Sequence, residues 1–392
     1  MPISHFFAEG IGPFQKVHLD LRGADGHPSL GPHILAGANG SGKSTILKAI
    51  DWCLAKPQDG FEEEATNPRV LLIFGSAGAA VRTKHSDRGS AWARKTMEEA
   101  GLNPSDFPLR GVEGLEISTA SYSGVAAAKD DAIEVSLLSL YIKRAIAKER
   151  GKPTSRYTAV FDAFERGLSR VCGEDASIIV DLEPNLQPKL RIGERVLSFS
   201  EASDGLRATL GWMAEFLIRD NALDLVLLDG IEGLLHPQWQ RRVLPALREI
   251  LPGTQSIVTS HSPFVISSCA DAVIHVLKVN KDGSAYVEAP VKAPVGESIT
   301  STLKDIFGVD SRFDVETEKL LNEWNELNKG RVGASLDAGD EARFKELTRV
   351  LSSRSEELRS IVNQPAALSK AVVDSLTQTA PAGRVRRRVA TH

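Results

Sequence analysis

Residues 37–45 read Gly37-Ala38-Asn39-Gly40-Ser41-Gly42-Lys43-Ser44-Thr45, and this stretch decides the fold. It fits the pattern GxxxxGK[ST]. The glycines let the loop bend so that successive backbone N–H groups point inward at a phosphate. A helix that follows adds its positive N-terminal end. Lys43 can then reach the β- and γ-phosphates, and the Ser44 hydroxyl can ligate Mg²⁺. Gly37, Asn39, Gly40, Ser41, Gly42, Lys43, Ser44 and Thr45 are therefore the expected cradle for a nucleotide's phosphates.

The flanks agree with that reading. The short apolar run 33–36 enters the loop, and 44–54 places Ile46, Leu47, Ile50 and Leu54 on one helical face. Upstream, 11–14 and 17–21 read as short strands broken by Gly12, Pro13, Gly23 and Gly26. Downstream, 132–149 and 158–171 read as helices, and 178–182 with 189–192 as a strand pair. Strand and helix then alternate: helix 207–219, strand 223–228, helix 237–250, strand 256–259, a helix starting at Phe264, and strand 272–279. This order predicts an α/β fold whose central strands are parallel and covered on both faces. Residues 57–130 are the least legible, with an acidic run (Glu62, Glu63, Glu64), several Gly and Pro, and one strand-like run at 70–74.

Past residue 295 the pattern becomes helical and more polar. Segments 315–328 and 341–362, separated by Gly330, Gly333 and Gly339, predict a helical hairpin. Phe344, Leu351 and Leu358 fall at seven-residue spacing, which suits internal packing or a subunit contact and is far too short for a long coiled coil. The end, 365–392, reads as a flexible basic tail, either simply solvated or a contact for nucleic acid or an acidic partner.

Three further motifs carry chemistry. Leu225-Val226-Leu227-Leu228 is followed by Asp229, suited to a Mg²⁺ contact, direct or through water. Many buried strands end in Asp, so its weight comes from the phosphate loop upstream. Thr259-Ser260-His261-Ser262-Pro263 ends another strand. His261 there can bond a γ-phosphate or the attacking water, or be a structural histidine at a helix start. Ala202-Ser203-Asp204-Gly205-Leu206-Arg207 precedes a helix. Ser203 and Gly205 form either a second anion-binding helix start or an ordinary N-cap with a loop glycine.

Composition bounds the rest. At 392 residues the chain suggests about two domains. Forty-seven Lys and Arg against 51 Asp and Glu give a net charge of −4. That argues against a general positive coat for nucleic acid, while leaving a local patch open. Cys53, Cys172 and Cys269 are far apart and form no CxxC pair, which fits a reducing compartment without disulfides or a cysteine zinc site. No apolar run reaches the ~20 residues of a membrane span, and the start lacks a signal-peptide pattern, so a cytoplasmic location without membrane contact is expected. His5, His18, His27 and His33 show no metal-ligand spacing and are expected at the surface or in loops.

Taken in order, GANGSGKST, ASDGLR, LLDGIEGLLHPQWQ and TSHSP resemble the ABC-type ATPase heads of the SMC/RecF/OLD group. They are most similar to the bacterial ATP-binding proteins that include Septu-type and retron-associated anti-phage ATPases. The stretch His236-Pro237-Gln238-Trp239-Gln240, at its distance from Asp229, makes the resemblance specific. It extends to most of the chain except about 57–175. It implies an ABC-ATPase head with a mixed β-sheet core, a helical insert and a C-terminal helical hairpin. The expected organisation is a core over 1–56, an insert over 57–175, the rest of the core over 176–290, the hairpin over 291–364 and the tail over 365–392. It also implies ATP and Mg²⁺ as cofactors, held by Ser44 and Asp229, and a head-to-tail homodimer or higher oligomer. Ser203 and Gly205 of one copy would cap the γ-phosphate on the other, with His261 sensing it. A completed site that exists only in the dimer favours dimerisation by mass action.

Three departures from that pattern matter. The Glu that follows the Asp in relatives is Gly230 here, and a glycine cannot orient water. Glu232, two residues on, can reach the site or cap the helix at Pro237. Ala202 stands where a Leu leads the signature. No Gln lies between Gln58 and Gln187, so the Q-loop residue is not identifiable, with Tyr122 in ASYSG only a guess at the region. Together these predict a slow ATPase or an ATP-locked switch that controls a partner effector such as a nuclease. The alternative is a RecF-like sensor of DNA structure, with DNA or RNA as partner. A transporter motor is disfavoured by the signature, which is not LSGGQ.

Overall fold

The structure, a computed structural model, describes residues 1–54, 67–75, 77–84, 89–110, 117–123, 130–152, 156–181, 186–218, 223–309, 313–333 and 337–363. It divides into two units, Met1–Phe307 and Gly308–His392. In the first unit the strands are β1 (His5–Ile11), β2 (Phe14–Asp20), β3 (His33–Gly37), β4 (Arg69–Phe74), β5 (Gly78–Thr83), β6 (Leu109–Arg110), β7 (Thr119–Ser123), β8 (Ser177–Asp181), β9 (Gln187–Ile192), β10 (Arg195–Leu197), β11 (Leu225–Asp229), β12 (Gln255–Ser260), β13 (Val273–Val279), β14 (Ala285–Val287) and β15 (Val291–Lys292). Its helices are α1 (Lys43–Leu54), α2 (Gly89–Glu99), α3 (Asp130–Glu149), α4 (Arg156–Cys172), α5 (Asp204–Ile218), α6 (Pro237–Ile250), α7 (Pro263–Ile266) and α8 (Ile299–Phe307).

The expected mixed-sheet α/β core is present. The central sheet runs β14-β13-β3-β12-β11-β7, parallel from β13 to β7, with β14 and β15 antiparallel on β13. Side chains alternate across it with period two. Ile34, Val226, Leu228, Val258 and Ile274 pack with helices α4, α5 and α6 in one core. Leu35, Leu225, Leu227, Ile257 and Leu277 pack with α1 and β1, β2 and β4 in another. Burial on both faces explains why 223–228 is almost wholly apolar in sequence.

A second sheet, β2-β1-β4-β5-β6, begins with an antiparallel hairpin. The first strand is 5–11 and not 11–14, because Gly12 (φ 47°) and Pro13 form the turn between β1 and β2. The expected helical or irregular insert over 57–175 instead contains β4 to β7 as well as helices. Gly78-Ala79-Ala80 and the polar TASYS of β7 have weak strand preference, and their neighbours in the sheets impose the strand state. The acidic run 62–64 and the tail 365–392 lie outside the described residues.

The first unit ends at Phe307, so the expected boundary at 290 does not coincide with a structural division. In the second unit α9 (Val315–Gly333) runs through Gly330 and Gly333, which do not break it. The segment 341–362 is two helices, α10 (Ala338–Arg354) and α11 (Glu356–Val362). Ser355 is extended, and its side chain accepts from the Leu358 N–H at 3.1 Å. This cap offers the backbone an alternative to helix continuation. Trp324, Phe344, Leu347, Leu351, Leu358 and Val362 form this unit's core.

Candidate functional site

The loop after β3 leads directly into α1. Gly37 has φ 152°, and a Cβ there would sit 2.4 Å from the Leu277 carbonyl oxygen. Gly42 has φ 90°, and a Cβ would sit 2.3 Å from a ring carbon of Phe14. Both positions therefore exclude side chains for reasons of space as well as backbone. Asn39 and Gly40 are exposed at the loop's crest, and Thr45 packs beside Gly12. The first N–H groups of α1 have no partner within the helix and face this loop. Ser41 is fully buried, and its hydroxyl has no hydrogen-bond partner. An orphaned donor inside a glycine cradle at a helix start fits a phosphate.

Lys43 is buried and donates from Nζ to the carbonyls of Gly37 (3.0 Å) and Ala38 (2.9 Å). Burial lowers its pKa, opposed by the negative charges of Asp229 and Glu232. The ammonium thus rests on weak neutral acceptors in a site that carries two carboxylates.

Asp229 ends β11 beside it. Its Oδ1 accepts from Ser44 Oγ at 2.9 Å and from Thr259 Oγ1 at 2.6 Å. Thr259 in turn accepts from the Gly230 N–H at 2.7 Å. Ser44 and Asp229 offer hard oxygen donors at the loop, which is the chemistry Mg²⁺ takes. Gly230 has φ 68° with nothing within 4 Å of a Cβ, so the position is roomy but left-handed.

Glu232 does not cap the helix at Pro237. That helix is capped by His236, whose Nδ1 accepts from the Gln238 N–H. Glu232 Oε1 instead accepts from the His261 N–H at 2.6 Å, and its Oε2 is buried without a partner. The His261 ring is exposed, and its pKa is lowered by partial burial and by Lys43. The Gly37 carbonyl, Glu232 and Asp229 act in the opposite sense. His261 therefore shares one electrostatic environment with the phosphate loop and both carboxylates.

Gln240 joins the two motif loops. Its Nε2 donates to the Leu235 carbonyl (2.8 Å), and its Oε1 accepts from Ser262 Oγ (2.6 Å). Ser262 also caps α7, accepting from the N–H groups of Phe264 and Val265. These bonds are what the HPQWQ and TSHSP spacings encode. The roles of Thr259 and Gln240 were not legible, because each depends on a partner at least 22 residues away.

Ser203 is exposed ahead of α5 and accepts from the Leu206 N–H at 3.4 Å. A Cβ on Gly205 would lie 2.4 Å from the Leu234 carbonyl oxygen, so the start of α5 packs directly on the loop after Asp229. Leu234 is 76% exposed and, with φ 57°, the one non-glycine residue in the left-handed region among the described residues. Neither Ser203 nor Gly205 bonds to the phosphate loop among the described residues. The structure thus gathers the loop, Asp229, Glu232 and His261, and among the described residues it shows no bond from Ser203 or Gly205 to them. Tyr122 lies on β7 opposite Leu228, one step from the Ser123–Asp229 pair. Segment 124–129 is outside the described residues.

His5 and His33 are buried, contrary to the surface expectation. Strand alternation turns His33 and His275 into the space between the two sheets, where their rings meet at 3.1 Å. His5 and His18 meet at 3.2 Å. No group of three or more metal-binding side chains occurs among the described residues. Nor is any described helix long and apolar enough to cross a membrane.

Two family models match. One, described as "AAA domain", covers residues 8–100. The other, "AAA domain, putative AbiEii toxin, Type IV TA system", covers residues 189–267. The chain is 31% identical over 112 residues to the Septu protein PtuA of Bacillus thuringiensis, covering 26% of this chain and 28% of that protein. It is 32% identical over 157 residues to "Retron Ec83 probable ATPase" of Escherichia coli, covering 36% of this chain and 28% of that protein. It is 29% identical over 101 residues to "Retron Vc95 probable ATPase" of Vibrio cholerae, covering 26% and 19%. The chain spans little more than a quarter, or less, of the length of these relatives. Among solved structures it overlaps an SMC head bound to the C-winged helix domain of ScpA (TM-score 0.48, 16% identity, 75% of this chain and 98% of that one). It also overlaps the SMC head of Thermotoga maritima (TM-score 0.44, 19% identity, 74% and 99%).

Proposed function

We propose that this chain, an AAA/SMC-type P-loop protein related to the Septu protein PtuA and the retron ATPases, binds ATP with Mg²⁺ and hydrolyses it slowly. The observation that carries the reading is the Ser44–Asp229 bond, which joins the phosphate loop to a carboxylate 185 residues away. Mg²⁺ at these two residues would neutralise charge on the β- and γ-phosphates. Lys43 then exchanges its two carbonyl acceptors for phosphate oxygens, a charged and stronger pairing. His261 faces the γ-phosphate. Position 230 has no carboxylate, and we assign the orientation of water to the unpartnered Oε2 of Glu232.

Two copies close head to tail around the nucleotide, with Ser203 and Gly205 of one serving the phosphate on the other. The exposure of Ser203 and of Leu234, an apolar side chain beside Gly205, supports this arrangement. The closed pair acts as a switch for a partner effector such as a nuclease in anti-phage defence.

The test is ATP turnover with oligomeric state, in Mg²⁺, for wild type, Gly230→Glu and Glu232→Gln. Slow wild-type turnover from an ATP-bound dimer, abolished in Glu232→Gln, is expected. Failure to bind ATP or to dimerise with it rejects the proposal. Brisk turnover that survives Glu232→Gln removes Glu232 from the chemistry.

One observation favours nucleic acid as a further partner. Residues 141–157 carry Lys143, Arg144, Lys148, Arg150, Lys152 and Arg156 against Glu149 alone, in a chain of net charge −4. Lys148, Arg150 and Lys152 are exposed at the end of α3. ATP-dependent DNA binding with a steep salt dependence is the expected signature, and no binding at low salt removes this reading.

A further inference from the structure

The catalytic carboxylate and its metal need an orienting partner that survives nucleotide binding. Ser44 is one such partner: its hydroxyl proton lies on Asp229 Oδ1, and an oxygen lone pair would be left for the metal. Thr259 is a second, and its hydroxyl has no place among the metal's ligands. It is 2% exposed at the end of β12, and its hydroxyl spends its one proton on Asp229 Oδ1 at 2.6 Å. A lone pair of the same oxygen receives the Gly230 N–H at 2.7 Å, and the Thr259 carbonyl receives the Ile231 N–H at 3.3 Å.

One residue therefore holds three consecutive positions, Asp229 through its side chain, Gly230 through the same oxygen and Ile231 through its backbone. The β-branched side chain is stiff at χ1, so the hydroxyl is not free to wander. The chain leaves β11 by the left-handed turn at Gly230.

We infer that the Thr259 hydroxyl is a positioning group that fixes the Asp229 carboxylate for Mg²⁺ and so sets the Mg²⁺ affinity of the nucleotide complex. The inference rests on the reading that Ser44 and Asp229 hold Mg²⁺. Partners that orient a ligating carboxylate typically change metal affinity by about 10- to 100-fold when removed.

The test uses the full chain and a fluorescent ATP analogue, whose binding is titrated with Mg²⁺ and also measured in EDTA. The variants are Thr259→Val, Thr259→Ser and Asp229→Asn. Thr259→Val is expected to raise the Mg²⁺ concentration for half-maximal binding by about 10-fold or more, with EDTA binding unchanged. Thr259→Ser, which keeps the hydroxyl, is expected to titrate close to wild type. If Thr259→Val does not fold, Thr259→Ala replaces it, since the smaller side chain lets water reach the Gly230 N–H. Wild-type titration by the hydroxyl-free variant overturns the inference. So does a Thr259→Ser defect equal to that of Thr259→Val, or an equal loss in EDTA, which would mark a purely structural role. If Asp229→Asn leaves the Mg²⁺ dependence untouched, the metal reading of Ser44 and Asp229 is what has failed, and the inference falls with it.

Discussion

Gly230 shows how one residue can be read correctly by identity and still be incomplete. Its lack of a carboxylate is plain in sequence, but its left-handed φ of 68° and the open space around it are not. A side chain fits there sterically, at a backbone cost of about 1 to 2 kcal/mol. Gly230→Glu is therefore expected to lower stability by that amount in chemical denaturation while raising phosphate release. Gly230→Ala should show the same stability loss without the gain in rate. Gly205 is the reverse case. A Cβ there meets the Leu234 carbonyl at 2.4 Å, and backbone cannot move aside as a side chain can. Gly205→Ala is expected to cost about 1 to 3 kcal/mol and to weaken ATP-dependent dimerisation, checked by urea unfolding and light scattering. The phosphate loop and Asp229 were legible because their chemistry is written in consecutive residues. Thr259 was not, since its partner lies 30 residues away. Nor were His5 and His33, because a single histidine letter carries no sign of burial.

Elements followed the same division. Helices α1 and α4 were readable from periodicity, since each buries a regular face, α6 from its Pro237 start, and strands β3 and β11 from unbroken apolar runs, since both of their faces are buried. Strands β5 and β7 were not, because their Gly-, Ala- and Ser-rich sequences become strands only through their neighbours. The break between α10 and α11 was also hidden, since Leu358 keeps the seven-residue spacing across it and stays in the same core. Ser355 is what divides them. Ser355→Ala removes the acceptor for the Leu358 N–H and is expected to cost about 1 kcal/mol, read from the helical circular-dichroism signal during unfolding.

In the whole first unit, two cores share one sheet; the His33–His275 pair sits in the layer between sheets, and the His5–His18 pair lies on the other face of the second sheet, against Phe7. Burial pushes His33 down to about 4 and His275 to about 3, from an ordinary 6.5. His5 is also pushed down to about 4, mainly by burial and against the pull of Asp20. These rings are neutral in the fold and take up protons once unfolded. The unfolded chain therefore binds more protons below pH 6.5, and stability falls as pH falls from there toward 4. Each ring adds a slope of up to about 1.4 kcal/mol per pH unit in that window. Urea unfolding between pH 6.5 and 5.5, above most of the range in which ordinary carboxylates titrate, is expected to show this slope. His275→Gln should reduce it.

The contact of Gly205 with the Leu234 carbonyl, together with the absence among the described residues of a bond from Ser203 or Gly205 to their own phosphate loop, has a genetic consequence. If each copy lends what the other lacks, damage to the two halves should be separable between molecules. A Lys43→Ala chain and a Ser203→Arg chain, each inactive alone, should recover activity when mixed. Their heterodimer pairs the sound loop of one with the sound signature of the other. At equal mixing, half of the dimers would carry a single intact chamber, giving about a quarter of the wild-type chambers. A lesion in Asp229 should behave as an allele of the Lys43 group, and one in Gly205 as an allele of the Ser203 group.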